Sequence, residues 1–428
     1  MRKTLNYGPK PTLPKALHTA LSTALHTALH LAMLLALLSL IALSLVSCDY
    51  TYDLLTLSDD NVNYSYTLKK DPATGKVYCP DADYVICLEK DPDKDFVILN
   101  LADVQERNPS ASNLKAIIDE LVNSTNPDLI TLTGDQSYGS ATTIRQLAEI
   151  LESYEIPWAP IFGNHEHNEE ETSVEAQCAL YESFEHCLFK TGPNLGTTRK
   201  TKSTGVKVSR GGNYVINIVE NSQDSFNVVK TLVFLDTGDQ SRYLEDDPTK
   251  KTYNNGTTYD RVLPEQVKFY NQVVDSAQRY GSKAQAALFI NIPIFEYVEA
   301  IGAALKTNIS VYNVSSYLSY TSRISYTKSF NSDLWNEGYK NSYGVMHERI
   351  CCITTDDGVF DQIRENTDLI ICGHDHVNSF VIDYRDVTFC FAMKTGPGCY
   401  YEEGMSGGTI ITIAGNGETS VHHQIVNQ

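Results

Sequence analysis

Four short polar clusters, each standing where an apolar run ends, constrain this chain more than any other feature. Asp103 and Gln105 follow Phe96-Val97-Ile98-Leu99-Asn100-Leu101. Gly134-Asp135-Gln136-Ser137-Tyr138 follows Leu129–Thr133, Gly163-Asn164-His165-Glu166 follows Trp158–Phe162, and Gly373-His374-Asp375-His376 follows Leu369–Cys372. The carboxyl ends of strands are where open α/β sheets place their ligands. Asp, Asn and His are the side chains that hold hard or borderline divalent cations. Two such cations about 3.5–4 Å apart share a bridging carboxylate and clamp an in-line displacement at phosphorus. Singly, each cluster is also explained by a helix cap or a turn. The ordered set D…GD…GNHE…GHxH is far more specific, because two His flanking one residue of an extended chain point the same way.

The segments between the clusters predict how they are carried. Ser112 is expected to cap a helix through Leu114, Ile117, Ile118 and Leu121, and a second helix runs through Ile144, Leu147, Ile150 and Leu151. With the three apolar runs this gives a βαβαβ unit and a parallel sheet. Further strands are expected at Tyr214–Val219, Thr231–Asp236 and Ala286–Ile290, with a helix opened by Pro264. Leu369–Cys372, Phe380–Tyr384, Thr388–Phe391, Thr409–Ile413 and Val421–Ile425 read as a closing run of sheet. The domain spans 94–428, with irregular insertions at 165–212 and 298–350; residues 49–93 read as a polar linker and an edge hairpin.

Residues 1–48 read as a leader. Arg2, Lys3, Lys10 and Lys15 precede the uncharged run Leu31–Ser47, and Leu45-Val46-Ser47-Cys48 resembles the bacterial lipoprotein box, in which the Cys receives the lipid. An uncleaved N-terminal membrane anchor is the alternative. Either reading places the body of the protein outside the cytoplasm, anchored to a lipid membrane. The chain's net charge of −19 becomes −23 once the four basic residues of the leader are set aside. Such a surface repels nucleic-acid phosphates, so no nucleic-acid partner is expected. Cys79/Cys87, Cys178/Cys187 and Cys390/Cys399 are close enough in sequence to pair, but spacing does not fix connectivity.

The ordered clusters resemble the calcineurin-like metallophosphoesterase superfamily over residues 94–426, and within it the purple-acid-phosphatase-like branch. Pro157-Trp158-Ala159-Pro160-Ile161-Phe162 before GNHE, Leu235-Asp236-Thr237-Gly238, and Ile290-Asn291-Ile292-Pro293 support the latter. The resemblance implies an α/β fold, a four-layer αββα sandwich of two mixed sheets flanked by helices. It implies hydrolysis of phosphate mono- or diesters by attack of a metal-bound hydroxide, with two divalent or mixed-valence ions (Fe, Mn or Zn) as cofactors. Asp135 would bridge them, Asp103 and His376 would hold the first, and Asn164 and His374 the second. His165 would bond a phosphate oxygen or protonate the leaving alkoxide.

Two positions depart from the family pattern. Gln105 stands where a His is usual, and so does Asn291; one substitution touches each cation, and an amide oxygen is a weaker donor than imidazole. Tyr138, three residues after Asp135, has the spacing of the family's ferric ligand and is equally explained as a packed or hydrogen-bonded ring. Gln105 and Asn291 therefore motivate a second reading, a catalytically weakened surface binding protein that keeps the fold. A nuclease is disfavoured by the acidic surface.

Overall fold

Which face each buried residue takes along the strands decides the architecture. The computed structural model describes residues 55–56, 62–168, 172–200, 205–208, 210–241, 258–281, 285–304, 324–325, 337–339, 342–353 and 356–426. All of them belong to the unit Leu55–Gln428. The expected leader, its lipid-accepting Cys48 and much of the 298–350 insertion lie outside them. Among the described residues no helix is long and apolar enough to cross a membrane.

In chain order, the first half supplies β1 (Val85–Lys90), β2 (Phe96–Leu101), α1 (Leu114–Thr125), β3 (Leu129–Thr133), α2 (Ala141–Glu152), β4 (Trp158–Ile161) and α3 (Val174–Tyr181). The second half supplies β5 (Tyr214–Asn221), β6 (Phe226–Phe234), α4 (Pro264–Gln278), β7 (Ala286–Phe289), α5 (Glu296–Ala304) and β8 (Tyr343–Met346). It closes with β9 (Thr367–Cys372), β10 (Asn378–Tyr384), β11 (Val387–Phe391), β12 (Gly407–Ile413) and β13 (Thr419–Ile425). A five-stranded sheet has the order β13-β12-β2-β3-β4, and β2, β3 and β4 run parallel. The second sheet runs β8-β10-β11-β9-β7-β6-β5-β1, with the short strand Ile324–Ser325 beyond β8. Its β7, β9 and β11 are parallel neighbours, while β5/β6 and β10/β11 are antiparallel.

Burial on both faces of the second sheet follows side-chain alternation. Ile216, Ile218, Leu232, Phe234, Phe289 and Ile371 join a core shared with the five-stranded sheet and with α1 and α2. The intervening Val215, Val233, Leu235, Leu288 and Ile370 join side chains of α4 and α5, such as Val267, Val274, Tyr297 and Ile301. The result is helix, sheet, sheet, helix, the four-layer α/β sandwich expected from sequence. Between the sheets the rings of Tyr214, Phe234 and Phe289 stack in series at 4.5 and 4.7 Å.

Several local expectations shift. α1 starts after Asn113, which makes no side-chain capping bond, and Ser112 Oγ accepts the Leu114 N–H from one position earlier. A 3-10 turn at Pro109–Ala111 moves the helix start past Ser112. Cys79, Cys87, Cys178, Cys187, Cys390 and Cys399 are unbridged thiols. Cys390 lies in the core between the sheets and Cys399 on an exposed loop, so neighbouring sequence positions do not face each other. Residues 62–78 pack on the domain. The backbone N–H groups of Tyr64, Tyr66 and Leu68 donate to Gln272 Oε1, Ser276 Oγ and Tyr280 Oη, alternate residues that follow one side of α4 and the turn after it. A hairpin of Lys69–Lys70 with Val77–Tyr78 follows, and β1 pairs parallel to β5 at the sheet edge.

Tyr66 is 1% exposed and its hydroxyl is bonded to the Asn217 amide at 2.9 Å. Tyr66→Ala is predicted to cost about 3–5 kcal/mol in guanidinium unfolding, as for other buried rings. Tyr66→Phe removes only the hydrogen bond and should cost about 1 kcal/mol. Equal small losses would show that this segment contributes little to the core.

Candidate metal centre

Five strands, three from one sheet and two from the other, end at one place. Asp103 lies just beyond β2, Asp135 beyond β3 and Asn164 beyond β4; Asn291 and His374 lie beyond β7 and β9. The chain turns sharply there: Asp103, Gln105, Asp135 and His374 have φ of +49°, +43°, +54° and +84°. Such left-handed conformations cost about 1–3 kcal/mol each and persist only where surrounding contacts impose them. Those contacts are present. Asp103 N–H donates to the Gly134 carbonyl at 3.2 Å, and Gln105 N–H to that of Asp135 at 3.0 Å. His374 N–H donates to Asp103 Oδ1 at 2.8 Å, and His165 N–H to Asp135 Oδ1 at 2.9 Å.

The glycines before the polar residues are required by close approach. A Cβ at Gly163 would stand 2.3 Å from Asp135 Oδ1, and one at Gly373 2.6 Å from Asp103 Oδ2. Any larger residue would push a carboxylate out of the centre.

Asp103, Asp135 and His376 each offer a ligand atom, all three within 4.8 Å of one another and all buried. Around them lie buried polar atoms without a hydrogen-bond partner: Asp103 Oδ2, Gln105 Oε1, Asn164 Oδ1 and both ring nitrogens of His374. Leaving such atoms unpaired costs about 1–3 kcal/mol apiece. Oxygen and imidazole donors converging without partners are the coordination chemistry of a divalent cation, so the residues fit the metals that the sequence implies. Burial pushes the Asp103 carboxyl up to about 7, and burial with the neighbouring Glu166 and Asp103 carboxylates raises Asp135 as well. The same burial lowers His374 to about 3 and His376 to about 2. Both imidazoles are therefore neutral, with a lone pair to offer. His376 Nδ1 lies 2.8 Å from the Tyr400 carbonyl, which can only accept. The proton is thereby fixed on Nδ1, and Nε2 is the ligating atom.

The two substituted positions behave differently. Gln105 Nε2 lies 3.4 Å from Asp135 Oδ2, and its carbonyl oxygen stays unpaired. Asn291 is a brace: Nδ2 donates to the Thr133 carbonyl at 2.9 Å and Oδ1 accepts the Asn164 N–H at 3.4 Å. Tyr138 is held by contacts of its ring. Its ring lies 4.0 Å beneath the Arg107 guanidinium and stands edge-on to half-buried His165.

Two supporting residues escape sequence reasoning. Glu166, the last residue of the GNHE cluster, is fully buried and accepts the N–H groups of Asp135, Ser137 and Gly163 at 3.0, 2.7 and 2.8 Å. One carboxylate thus ties the GD loop to the GN loop. Lys394 is 1% exposed, and its ammonium donates to the Asp103 carbonyl. Backbone pairing of Ala102 with Lys394 and the Thr395 N–H bond to Ala102 hold it there. Its only signal in the sequence is a lone cation at the end of the apolar run Phe389–Met393.

A family model described as calcineurin-like phosphoesterase matches residues 96–378. The chain therefore belongs to the calcineurin-like phosphoesterase family, whose members are dinuclear metal-dependent. Among curated proteins it is similar to "Probable inactive purple acid phosphatase 28" of Arabidopsis thaliana, 24% identical over 67% of this chain and 63% of that protein. It is likewise 24% identical to "Phosphatase DCR2" of Saccharomyces cerevisiae, over 63% of this chain but 39% of the relative. The chain thus spans less than two thirds of the length of these relatives. A solved dimetal phosphatase from Danio rerio aligns with a TM-score of 0.40 at 12% identity, over 76% of this chain and 98% of its own.

The raised carboxyls carry a prediction about protons. Asp103 retains its proton below about pH 7 in the metal-free chain, whereas a cation requires the carboxylate. Cation binding at pH 6 should therefore release about one proton or more, with less release above pH 8. Calorimetry in buffers of different ionisation enthalpy measures this. Release that is nil at pH 6, or larger at pH 8, would contradict the assignment.

Proposed function

We propose that this member of the calcineurin-like phosphoesterase family is an exported, membrane-anchored hydrolase of phosphate mono- or diesters. The observation that carries the reading is the convergence of Asp103, Asp135 and His376 within 4.8 Å, with unpaired atoms of Asn164 and His374 beside them. Asp103, Asp135 and His376 would hold one ion, and Asp135, Asn164 and His374 the other. Bound divalent iron, manganese or zinc would supply Lewis acidity and bring a water's pKa toward neutrality.

The chain's own groups do the rest. Left-handed Asp103 and Asp135 aim their carboxylates inward, and Glu166 and Asn291 fix the loops that carry them. Lys394 offsets part of the buried negative charge. His165, tethered through its own N–H to Asp135 and flanked by Tyr138, would give a proton to a departing alkoxide. Tyr138 packs edge-on against His165 and beneath the Arg107 guanidinium.

Amides at Gln105 and Asn291, together with relatives named as inactive, favour one competing reading, a binding protein on the same fold. Purified residues 49–428 supplied with manganese, iron or zinc should hydrolyse p-nitrophenyl phosphate or its bis ester. Asp135→Ala and His374→Ala should lower turnover at least about 100-fold. Undiminished turnover in Asp135→Ala removes the assignment. No turnover with metal bound, restored by Gln105→His with Asn291→His, would favour the binding protein. Anchoring has its own test: mass spectrometry of the native N-terminus should find a lipid-modified Cys48. An unmodified chain starting at Met1 would refute the lipoprotein.

A further inference from the structure

Burying an ammonium is costly unless a carboxylate answers it. Among the described residues three lysines are buried, Lys90, Lys230 and Lys394. Lys90 pairs with Glu220 at 3.0 Å, and Lys230 pairs with Asp368. Lys394 differs: its hydrogen bond goes to a neutral acceptor, the Asp103 carbonyl. Its charge is therefore not consumed in an ion pair. It acts on the nearest ionised groups through a dry interior, where screening is weak.

Those groups belong to one side of the metal centre. Covalent geometry keeps an aspartate's carboxylate within about 5 Å of its own carbonyl oxygen, so an ammonium on the Asp103 carbonyl stands close to the Asp103 carboxylate. The segment that follows Lys394 wraps the same side. A Cβ at Gly398 would stand 2.4 Å from the Val104 carbonyl oxygen and 2.7 Å from that of Gln105, and the Tyr400 carbonyl lies 2.8 Å from His376 Nδ1. The influence of the ammonium fades across the centre. Burial raises the Asp103 carboxyl, and Lys394 is the strongest counterweight to it. Burial lowers His376, and Lys394 lowers it further. His374 is shifted by burial and by His165 instead. The ammonium thus flanks the position framed by Asp103, Asp135 and His376 rather than the one framed by Asn164 and His374.

We propose that Lys394 is a resident counter-cation for the position of Asp103, Asp135 and His376: it holds the two carboxylates together before that ion arrives and competes with the ion once it is there. This rests on the metal-dependent phosphoesterase reading and adds an asymmetry to it. A cation entering that position meets carboxylates whose charge is already partly answered, and an amide, Gln105, where imidazole is usual. Lys394 makes that ion easier to lose, so its occupancy follows the free metal concentration, while the neighbouring ion is left nearly alone. A lysine that only packed the loop would have a different signature, because removing it would lower stability and metal affinity together. Removing a counter-cation lowers the stability of the metal-free chain and raises the affinity for the ion.

The test is calorimetric titration of the full chain with manganese at pH 7. His376→Ala identifies the binding step in question as the one it abolishes. In Lys394→Met that step should tighten at least about ten-fold and the other change less than about two-fold. The metal-free variant should also melt at a lower temperature than the metal-free wild type. Lys394→Gln, which loses the charge and keeps a donor, should give the same tightening, and it decides the matter if Lys394→Met does not fold. A step too weak to detect in the wild type but present in either variant is the same result. An unchanged or weakened step in a folded variant, or equal tightening of both steps, overturns the counter-cation and leaves the phosphoesterase reading standing. If manganese binds to none of these chains, that reading fails and the counter-cation falls with it.

Discussion

Two buried carboxylates facing one another cannot both ionise in a dry interior without positive charge between them. Asp103 and Asp135 are that pair, both 1% exposed. Much of the surrounding structure serves to hold them there. Left-handed backbone aims them inward, glycines at 163 and 373 leave them room, and amide hydrogens from His374 and His165 take one oxygen of each. Lys394 brings an ammonium, which burial lowers to about 8, to the Asp103 carbonyl. It does not complete the neutralisation, and the unpaired atoms of Asn164 and His374 remain as further donors.

The two sheets make this convergence possible. β2, β3 and β4 in one sheet, and β7 and β9 in the other, direct their carboxyl ends to the same edge of the sandwich. The aromatic stack between the sheets and the α4–α5 layer behind the second give that edge a rigid support. Glu166 then ties two loops of one sheet together, and Asn291 ties the other sheet to both. Asn291 stands where an imidazole is usual in the family, and its amide serves the backbone on either side, so this position braces the loops.

Strands buried on both faces were the most legible part of the sequence, because their apolar runs stop where the polar clusters begin. Leu129–Thr133 and Phe96–Leu101 have the bounds expected of them. β6 begins earlier than expected, at Phe226, because Phe226–Lys230 pair with β5 across a register shift at Ile218/Val219. The docking of Tyr64, Tyr66 and Leu68 on α4 was hidden for a different reason. Its partners lie more than 200 positions away, and no local periodicity records such a contact. Glu166 and Lys394 share that difficulty: a carboxylate that caps three N–H groups looks like any acidic residue in a loop, and a buried ammonium like any surface lysine. Tyr138 was open to two explanations, and the packing of its ring against Arg107 and His165 is recorded only in three dimensions.

Anomalous diffraction from a crystal of the chain grown with manganese tests the account most directly. It predicts two peaks inside the cradle of Asp103, Asp135, Asn164, His374 and His376, with Asp135 touching both. A map with no peak in that cradle, while the five side chains keep their places, would contradict it.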